Sequence, residues 1–426
     1  MTAQMIIALV IVILMIVMIM SDKFSFGAPP LFACALLVLT GVSKIEEAFA
    51  GFTDRNVIMV AGFMAIMAAL QKTSLMAKIK ASMANLAAKG GYKSYVLLLL
   101  VVMLASSLTS GSTGYYVMVL TVISTIPYNQ HLPNSKLMLP LGFATGRALI
   151  PVGVAFWMGM TSSLLEKAGS DVAGVTLPKY AMMVFVMSLG FMLWSLFSYR
   201  FLPDHDITGG EKASAEGPDK FVSTLTKNQE NLTYATFIIS VVVMMFADKI
   251  GQAAYVIPGI GTAFLCLIGV FNFTEVRNNL FSPLILMMAS VIGVANALGN
   301  TGFTGMVGEA VANALGENVN VFVLTLMFCL LTSASATLTG ASIGSLFVFA
   351  PIAIATCMSL GIDPTGPAAA MTVSAWGGGF LPIDGLPALI LGMGKYKLKD
   401  FLKFAVPMYL IQILFLAIGA MIAFPR

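Results

Sequence analysis

The chain has 426 residues, 58% hydrophobic and 10% charged, with a net charge of +4. A soluble domain carries about 25% charged residues, so this composition cannot cover a soluble surface and implies an integral membrane protein. Continuous apolar runs of about 17–20 residues point to membrane-crossing helices and argue against an alternating β-barrel. His131 and His205 are the two histidines, both in loops, and no metal or nucleotide motif is present. An intramembrane enzyme is therefore disfavoured. The four cysteines lie in apolar runs without a C-x-x-C pair and read as small hydrophobes.

The predicted elements follow in order. Residues 4–20 lack a basic leader and a cleavage site, so they read as a retained helix. A second helix covers 29–39, a charged loop 43–55, and a third helix 57–70. Residues 72–93 carry five lysines, with Leu75, Met76, Ile79, Met83 and Leu86 at helical spacing. That pattern predicts an amphipathic helix on the membrane surface. Residues 95–126 are apolar except for the knot S-S-L-T-S-G-S-T-G at 106–114. A polar loop follows at 127–136, and residues 137–160 are apolar apart from Arg147. A span is predicted at 180–194. Residues 200–231 are strongly polar and read as a solvated linker.

The second half repeats the plan. Spans are predicted at 234–246, 254–270 and 283–298, and a surface helix at 302–315. A second knot, S-A-S-A-T-L-T-G-A-S-I-G-S at 333–345, interrupts the apolar run 319–355. Residues 368–380 form a helix, followed by a broken region to 391, a basic loop at 395–403 and a last helix at 404–424. A-L-Q-K-T-S-L at 69–75 matches A-L-G-N-T-G-F at 297–303. About the same offset brings T-S-G-S-T at 109–113 onto L-T-G-A-S at 338–342. Such an internal repeat marks a transporter fold.

Charge orients the repeat. The first surface helix is lysine-rich, whereas its counterpart carries Glu309 and Glu317 and neither Lys nor Arg. The positive-inside rule puts the first in the cytoplasm and the second outside, so the repeats are inverted. Both termini then fall outside, provided each knotted segment enters and leaves on one side. The fold class is thus an all-α polytopic membrane protein. Its first repeat is 1–199 with a re-entrant hairpin at about 95–126. A cytoplasmic linker, 200–231, joins it to the second repeat, 232–426, with a hairpin at about 319–355. Each repeat holds about five transmembrane helices.

Broken backbone at membrane depth survives where it lines a cavity or is buried in protein. Its helix N-termini suit anions, its open carbonyls suit Na⁺, and hydroxyls serve either. The candidate substrate-binding residues are Ser110, Gly111, Ser112 and Thr113 in the first knot, with Thr339, Gly340, Ala341 and Ser342 in the second. Arg147, a charge in apolar surroundings, joins them. A second break per half is expected at 159–164 (G-M-T-S-S-L) and 380–389 (F-L-P-I-D-G-L-P-A-L). Candidate cation-coupling residues are Thr161, Ser162, Ser163, Thr337, Asp384 and Gly385. Asp384 suits cation ligation, proton transfer or pairing with Arg147. Trp157, Trp194 and Trp376 fall near span ends or breaks, where interface anchoring is the ordinary role.

Three segments resemble the divalent anion:sodium symporter family of the ion transporter superfamily: E-E-A-F-A-G-F-T-D-R-N-V-I-M-V-A-G-F at 46–63, N-S-K-L-M-L-P-L-G-F-A at 134–144, and L-P-I-D-G-L-P-A-L-I-L-G-M-G-K-Y-K-L-K-D-F-L-K at 381–403. The resemblance covers nearly the whole chain. It implies scaffold and transport domains, homodimers and an elevator-type movement. It also implies substrates such as dicarboxylates, citrate or sulfate, usually with Na⁺. The chain departs from that family at the hairpin tips. Ser110-Gly111-Ser112 and Thr339-Gly340-Ala341 stand where the family has Ser-Asn-Thr, so both asparagines are missing. S-G-S-T at 110–113 also resembles the large membrane subunit of TRAP transporters, which implies a partner subunit. The expected function is secondary transport of small anions in the inner membrane, coupled to Na⁺ or H⁺. No organic cofactor, resident metal or nucleic-acid partner is expected.

Overall fold

The computed structural model describes the chain except residues 21–23, 25–27, 110–112, 173, 208–222, 224, 317–318, 340–341, 383–384 and 426. Inside helices it also leaves aside the side chains at 19–20, 113–114, 247–248, 283–284, 315, 339 and 385. Among the described residues the regular structure is helical throughout. The first half contains α1 (Ala3–Met20), α2 (Ala28–Leu39), α3 (Ile45–Ala48), α4 (Arg55–Gln71), α5 (Leu75–Lys89), α6 (Gly91–Thr109), α7 (Thr113–Thr125), α8 (Asn134–Ala144), α9 (Ala155–Lys167) and α10 (Leu177–Ser198). The second contains α11 (Lys227–Met245), α12 (Ala247–Ile250), α13 (Ala253–Leu267), α14 (Phe273–Leu280), α15 (Pro283–Asn300), α16 (Phe303–Leu315), α17 (Val321–Thr339), α18 (Ser342–Ser359), α19 (Thr365–Ser374), α20 (Gly385–Met393) and α21 (Leu398–Ala423).

Among the described residues six helices are long and apolar enough to cross a membrane, or seven if the bent pair α4–α5 counts as one span. Five spans per half are reached only by adding the shorter apolar helices, such as α2 and α13, and the interrupted pairs α8–α9 and α19–α20. From α4 to α10 the order of long, short, hairpin and interrupted elements recurs from α15 to α21.

Local chemistry explains the boundaries. Asp54 caps α4 by accepting from the backbone N–H groups of Asn56 and Val57. Capping boxes start α11 (Thr226 with Gln229) and α14 (Asn272 with Glu275). The α4–α5 elbow turns by 56° and is tied to the second half. Lys72 donates to the Val270 carbonyl at 2.7 Å and pairs with Glu275 at 2.9 Å. Ser74 donates from both its N–H and its hydroxyl to Glu230, each at 2.8 Å. Burial raises the Glu230 carboxyl, but the hydrogen bonds from Ser223 and Ser74, with Lys78 nearby, outweigh it and hold the group below its ordinary value.

Small residues bring backbones together. α4 runs along α13, and a Cβ on Gly62 would collide with the backbone of Pro258 and Gly259. α15 meets α3 where a Cβ on Gly293 would strike the Ala48 carbonyl. These are the close helix contacts that small residues permit in membranes, where lipid gives helices no hydrophobic reason to associate. One apolar core joins α4, α13 and α15 to α9, α10, α17–α19 and α21. A second joins α5–α8 to α20 and the start of α21. A third lies between α1, α2 and α15.

Three sequence expectations are corrected. Residues 137–160 are not one continuous span, because the chain leaves the helix after Ala144 and re-enters at Ala155. The basic stretch 395–403 is a loop only at its start, since Lys399 and Lys403 lie in α21. The region after 380 is helical again from Gly385, where Pro387 sits in the first turn and costs no hydrogen bond. Gly62→Leu is expected to destabilise the detergent-solubilised protein by about 1–3 kcal/mol, read as a lower melting temperature. Gly259→Ala, whose Cβ would point into open space, should melt like the parent.

Candidate functional site

The first knot covers the end of α6 and the start of α7. Tyr115 of α7 donates to the Val102 carbonyl of α6 at 2.7 Å and closes the hairpin. The end of α6 is stitched to the loop that follows α8. Ser106 donates to the Thr145 carbonyl at 2.6 Å, and Ser107 accepts from the Ile150 N–H at 3.0 Å. The Leu149 N–H donates to the Met103 carbonyl at 3.1 Å. Thr145 folds back on the Gly142 carbonyl at 2.6 Å, satisfying one open acceptor at the end of α8.

The second knot is built the same way. Ser345 of α18 donates to Ser335 of α17 at 3.0 Å. Thr337 donates to the Ser333 carbonyl at 2.8 Å and accepts from the Gly379 N–H at 3.4 Å. A Cβ on Gly378 would overlap the Thr337 hydroxyl, so the loop after α19 needs glycine to lie this close. Ser333 also bonds the Tyr409 hydroxyl of α21 at 2.8 Å.

The two interrupted helices cross each other. α9 touches α19 through Thr161, which donates to Thr372 at 2.9 Å. α8 touches α20, where Gly142 faces Ile390. The leading half of each interrupted helix thus packs on the trailing half of the other, an antiparallel crossing. Trp376, in the loop after α19, lies 5.4 Å from Phe156 and 6.5 Å from Trp157 (ring centres) at the start of α9. Both tryptophans belong to this junction, and Trp194 donates to the Phe404 carbonyl at 3.1 Å. Four helices, α7, α9, α18 and α20, start at the breaks, where their first N–H groups have no intrahelical acceptor.

Arg147 sits in the loop after α8 and is 9% exposed. Its Nε and Nη2 both donate to Gln412 Oε1 of α21, at 3.0 and 2.8 Å, and its Nη1 donates to the Gly146 carbonyl at 3.0 Å. None of the ion pairs among the described residues involves it.

The other predicted site residues divide into four groups. Ser110, Gly111, Ser112, Gly340, Ala341 and Asp384 lie outside the described residues. Thr113 opens α7, Thr339 closes α17 and Gly385 opens α20, their side chains likewise lying outside the description. Ser342 opens α18 and is half-buried, and Thr337 stands at the second junction as described. The expected break at 159–164 is absent, because α9 is continuous from Ala155 to Lys167 and the interruption falls at 145–154. Thr-Gly-Arg and Pro151 end and delay the helix there. In α9, Thr161 lies 3.0 Å from the Tyr180 hydroxyl as well as bonding Thr372. Ser163 donates to the capping carboxylate of Asp54 at 3.0 Å. Ser162 faces a separate cavity of about 250 Å³ beside Arg55, Asn56, Asp171 and Tyr255.

Sequence reasoning missed Gln412 and Tyr409. The available signal was plain: past Lys403, Gln412 is the one amide in the apolar run of α21.

Two helical hairpins laced to two crossing interrupted helices, in a chain of apolar spans, define a multi-pass membrane transporter. The chain belongs to the citrate transporter family, whose family model matches residues 15–341. The crystal structure of the YdaH transporter of Alcanivorax borkumensis has the same fold at 16% identity, with a TM-score of 0.62 over 99% of each chain. MtrF of Neisseria gonorrhoeae, described as illuminating a class of antimetabolite efflux pumps, shares it at 15% identity and a TM-score of 0.59, over 91% of this chain and 84% of its own. An uncharacterized transporter, YfbS of Escherichia coli (strain K12), is 29% identical over 129 residues, which span 30% of this chain and 21% of YfbS.

Thr161→Val removes the hydroxyl that links α9 to α19 and should cost about 1 kcal/mol of stability, visible as a lower melting temperature.

Proposed function

We propose that the chain is a secondary transporter of small anions, di- and tricarboxylates foremost, driven by Na⁺ or H⁺ across the inner membrane. The observation that carries this reading is Arg147, a buried cation at the junction of both halves, met by neutral acceptors and by no carboxylate among the described residues. A buried charge needs compensation, and an anionic substrate supplies it. Membership of the citrate transporter family points to the same chemistry. The hydroxyl-rich hairpin turns and the four helix starts add N–H and O–H donors around the breaks.

The antiparallel crossing of α8–α9 with α19–α20, and the contrast between lysine-rich α5 and acidic α16, support two inverted repeats, 1–199 and 232–426, joined by the linker 200–231. In this reading the hairpins and interrupted helices move as one body. The frame of α4, α13 and α15 stays fixed, which is an elevator movement like that of the divalent anion:sodium symporters. A homodimer would steady the frame. Asp384, beside the start of α20, carries the coupling cation or proton.

The test is uptake of citrate and succinate into proteoliposomes under an imposed Na⁺ or proton gradient. Absence of uptake for both, under either gradient, would overturn the proposal. Arg147→Gln should lower apparent affinity about tenfold or more, the size expected for losing charge-assisted hydrogen bonds. Asp384→Asn should uncouple uptake from the driving gradient. Uptake that keeps its full Na⁺ and pH dependence in that variant rules out the coupling role.

A further inference from the structure

We infer that Gln412 and Arg147 together form an oxyanion subsite that takes only groups able to accept hydrogen bonds, above all an ionised carboxylate. This rests on the transport reading above and specifies which chemical state of the substrate that site holds.

The orientation of the Gln412 amide follows from its partner. Two guanidinium N–H groups point at one of its terminal atoms. A nitrogen there would set donors against donors, so the atom is the oxygen. The amide nitrogen must then face the other way. Gln412 is fully buried, and this nitrogen has no hydrogen-bond partner among the described residues. It carries two N–H groups in a place where water does not reach them. Buried donors without acceptors are rare in folded proteins and call for an explanation.

Arg147 adds to the same imbalance. A guanidinium has five N–H groups. The bonds to Gln412 and Gly146 engage three of them. One N–H on each terminal nitrogen is left without an acceptor among the described residues. Arg147 keeps 9% of its surface exposed. The two side chains therefore offer unspent donors and one positive charge. Their shared acceptor, Gln412 Oε1, is already used twice. A hydroxyl or amide ligand would bring donors of its own to a place that lacks free acceptors. A carboxylate brings acceptors only.

The position of Gln412 fits this role. One turn earlier on α21, Tyr409 bonds Ser333 of the second hairpin, and its ring centre lies 4.6 Å from that of Phe380. Arg147 lies in the loop stitched to the first hairpin. Gln412 is thus one turn from a contact of the second hairpin and bonded to the loop that is tied to the first.

The experiment measures binding to the purified full-length chain in nanodiscs by calorimetry, with citrate, succinate, sulfate and the neutral isostere succinamide as probes. Succinate or citrate should bind, and succinamide should bind at least about tenfold more weakly, the difference that unpaired donors impose. Gln412→Glu should fold, since a carboxylate satisfies the same two Arg147 donors. It fills the subsite with the protein's own charge, so anion binding should fall about tenfold or more while the melting temperature holds. Equal binding of succinate and succinamide by the unaltered chain overturns the inference, whatever the variants do. Equal succinate affinity in the parent and a folded Gln412→Glu also overturns it, while leaving the transport reading in place. A parent chain that binds none of the anions overturns both.

Discussion

Backbone polar groups at membrane depth have to find partners, and this constraint organises the molecule. Each break in a helix exposes N–H and C=O groups that lipid cannot satisfy. The chain meets the problem by bringing breaks together in pairs. The loop after α8 is bonded to the first hairpin through Ser106, Ser107 and the Met103 carbonyl. The loop after α19 is bonded to the second through Thr337 and Gly379. The glycines and hydroxyls that look like weak helix formers are the groups that make these joints possible. The joints leave donors over at Arg147 and Gln412, and these are the groups proposed to meet an acceptor from outside.

The same constraint separates two kinds of polar residue. Thr161 and Ser163 are both buried, and their hydroxyls are bound within the protein, to Thr372 and to the Asp54 cap. They hold α9 against its neighbours. Arg147 and Gln412 are also buried but keep N–H groups without acceptors. Burial alone does not distinguish a structural polar group from a binding one. The balance of donors and acceptors does.

The lysines of α5, the hydroxyl knots and the repeated A-L-x-x-T strings are local, so the hairpins and the order of spans were legible before the fold was seen. The helices fall within a few residues of their expected places, because apolar length and capping are read over short windows. The misplaced break is instructive. G-M-T-S-S-L is the stretch expected to be the interruption matching 380–389. The partners of its hydroxyls, Thr372 and Asp54, come from α19 and the α4 cap, and with them the helix runs on. The real break carries Arg147, which had been noticed for its charge and not for the turn it occupies.

Composition and periodicity were enough to establish a helical membrane protein with two knotted segments, since both follow from how each residue partitions between lipid and water. Which polar residues are spent on holding the fold and which keep donors to offer depended on the packing of distant helices. Gln412 shows why. Its sequence neighbours are apolar on both sides, and nothing near it in the chain announces a partner. Its oxygen is claimed by an arginine from the opposite half, and only that long-range contact turns its nitrogen into an unmet donor.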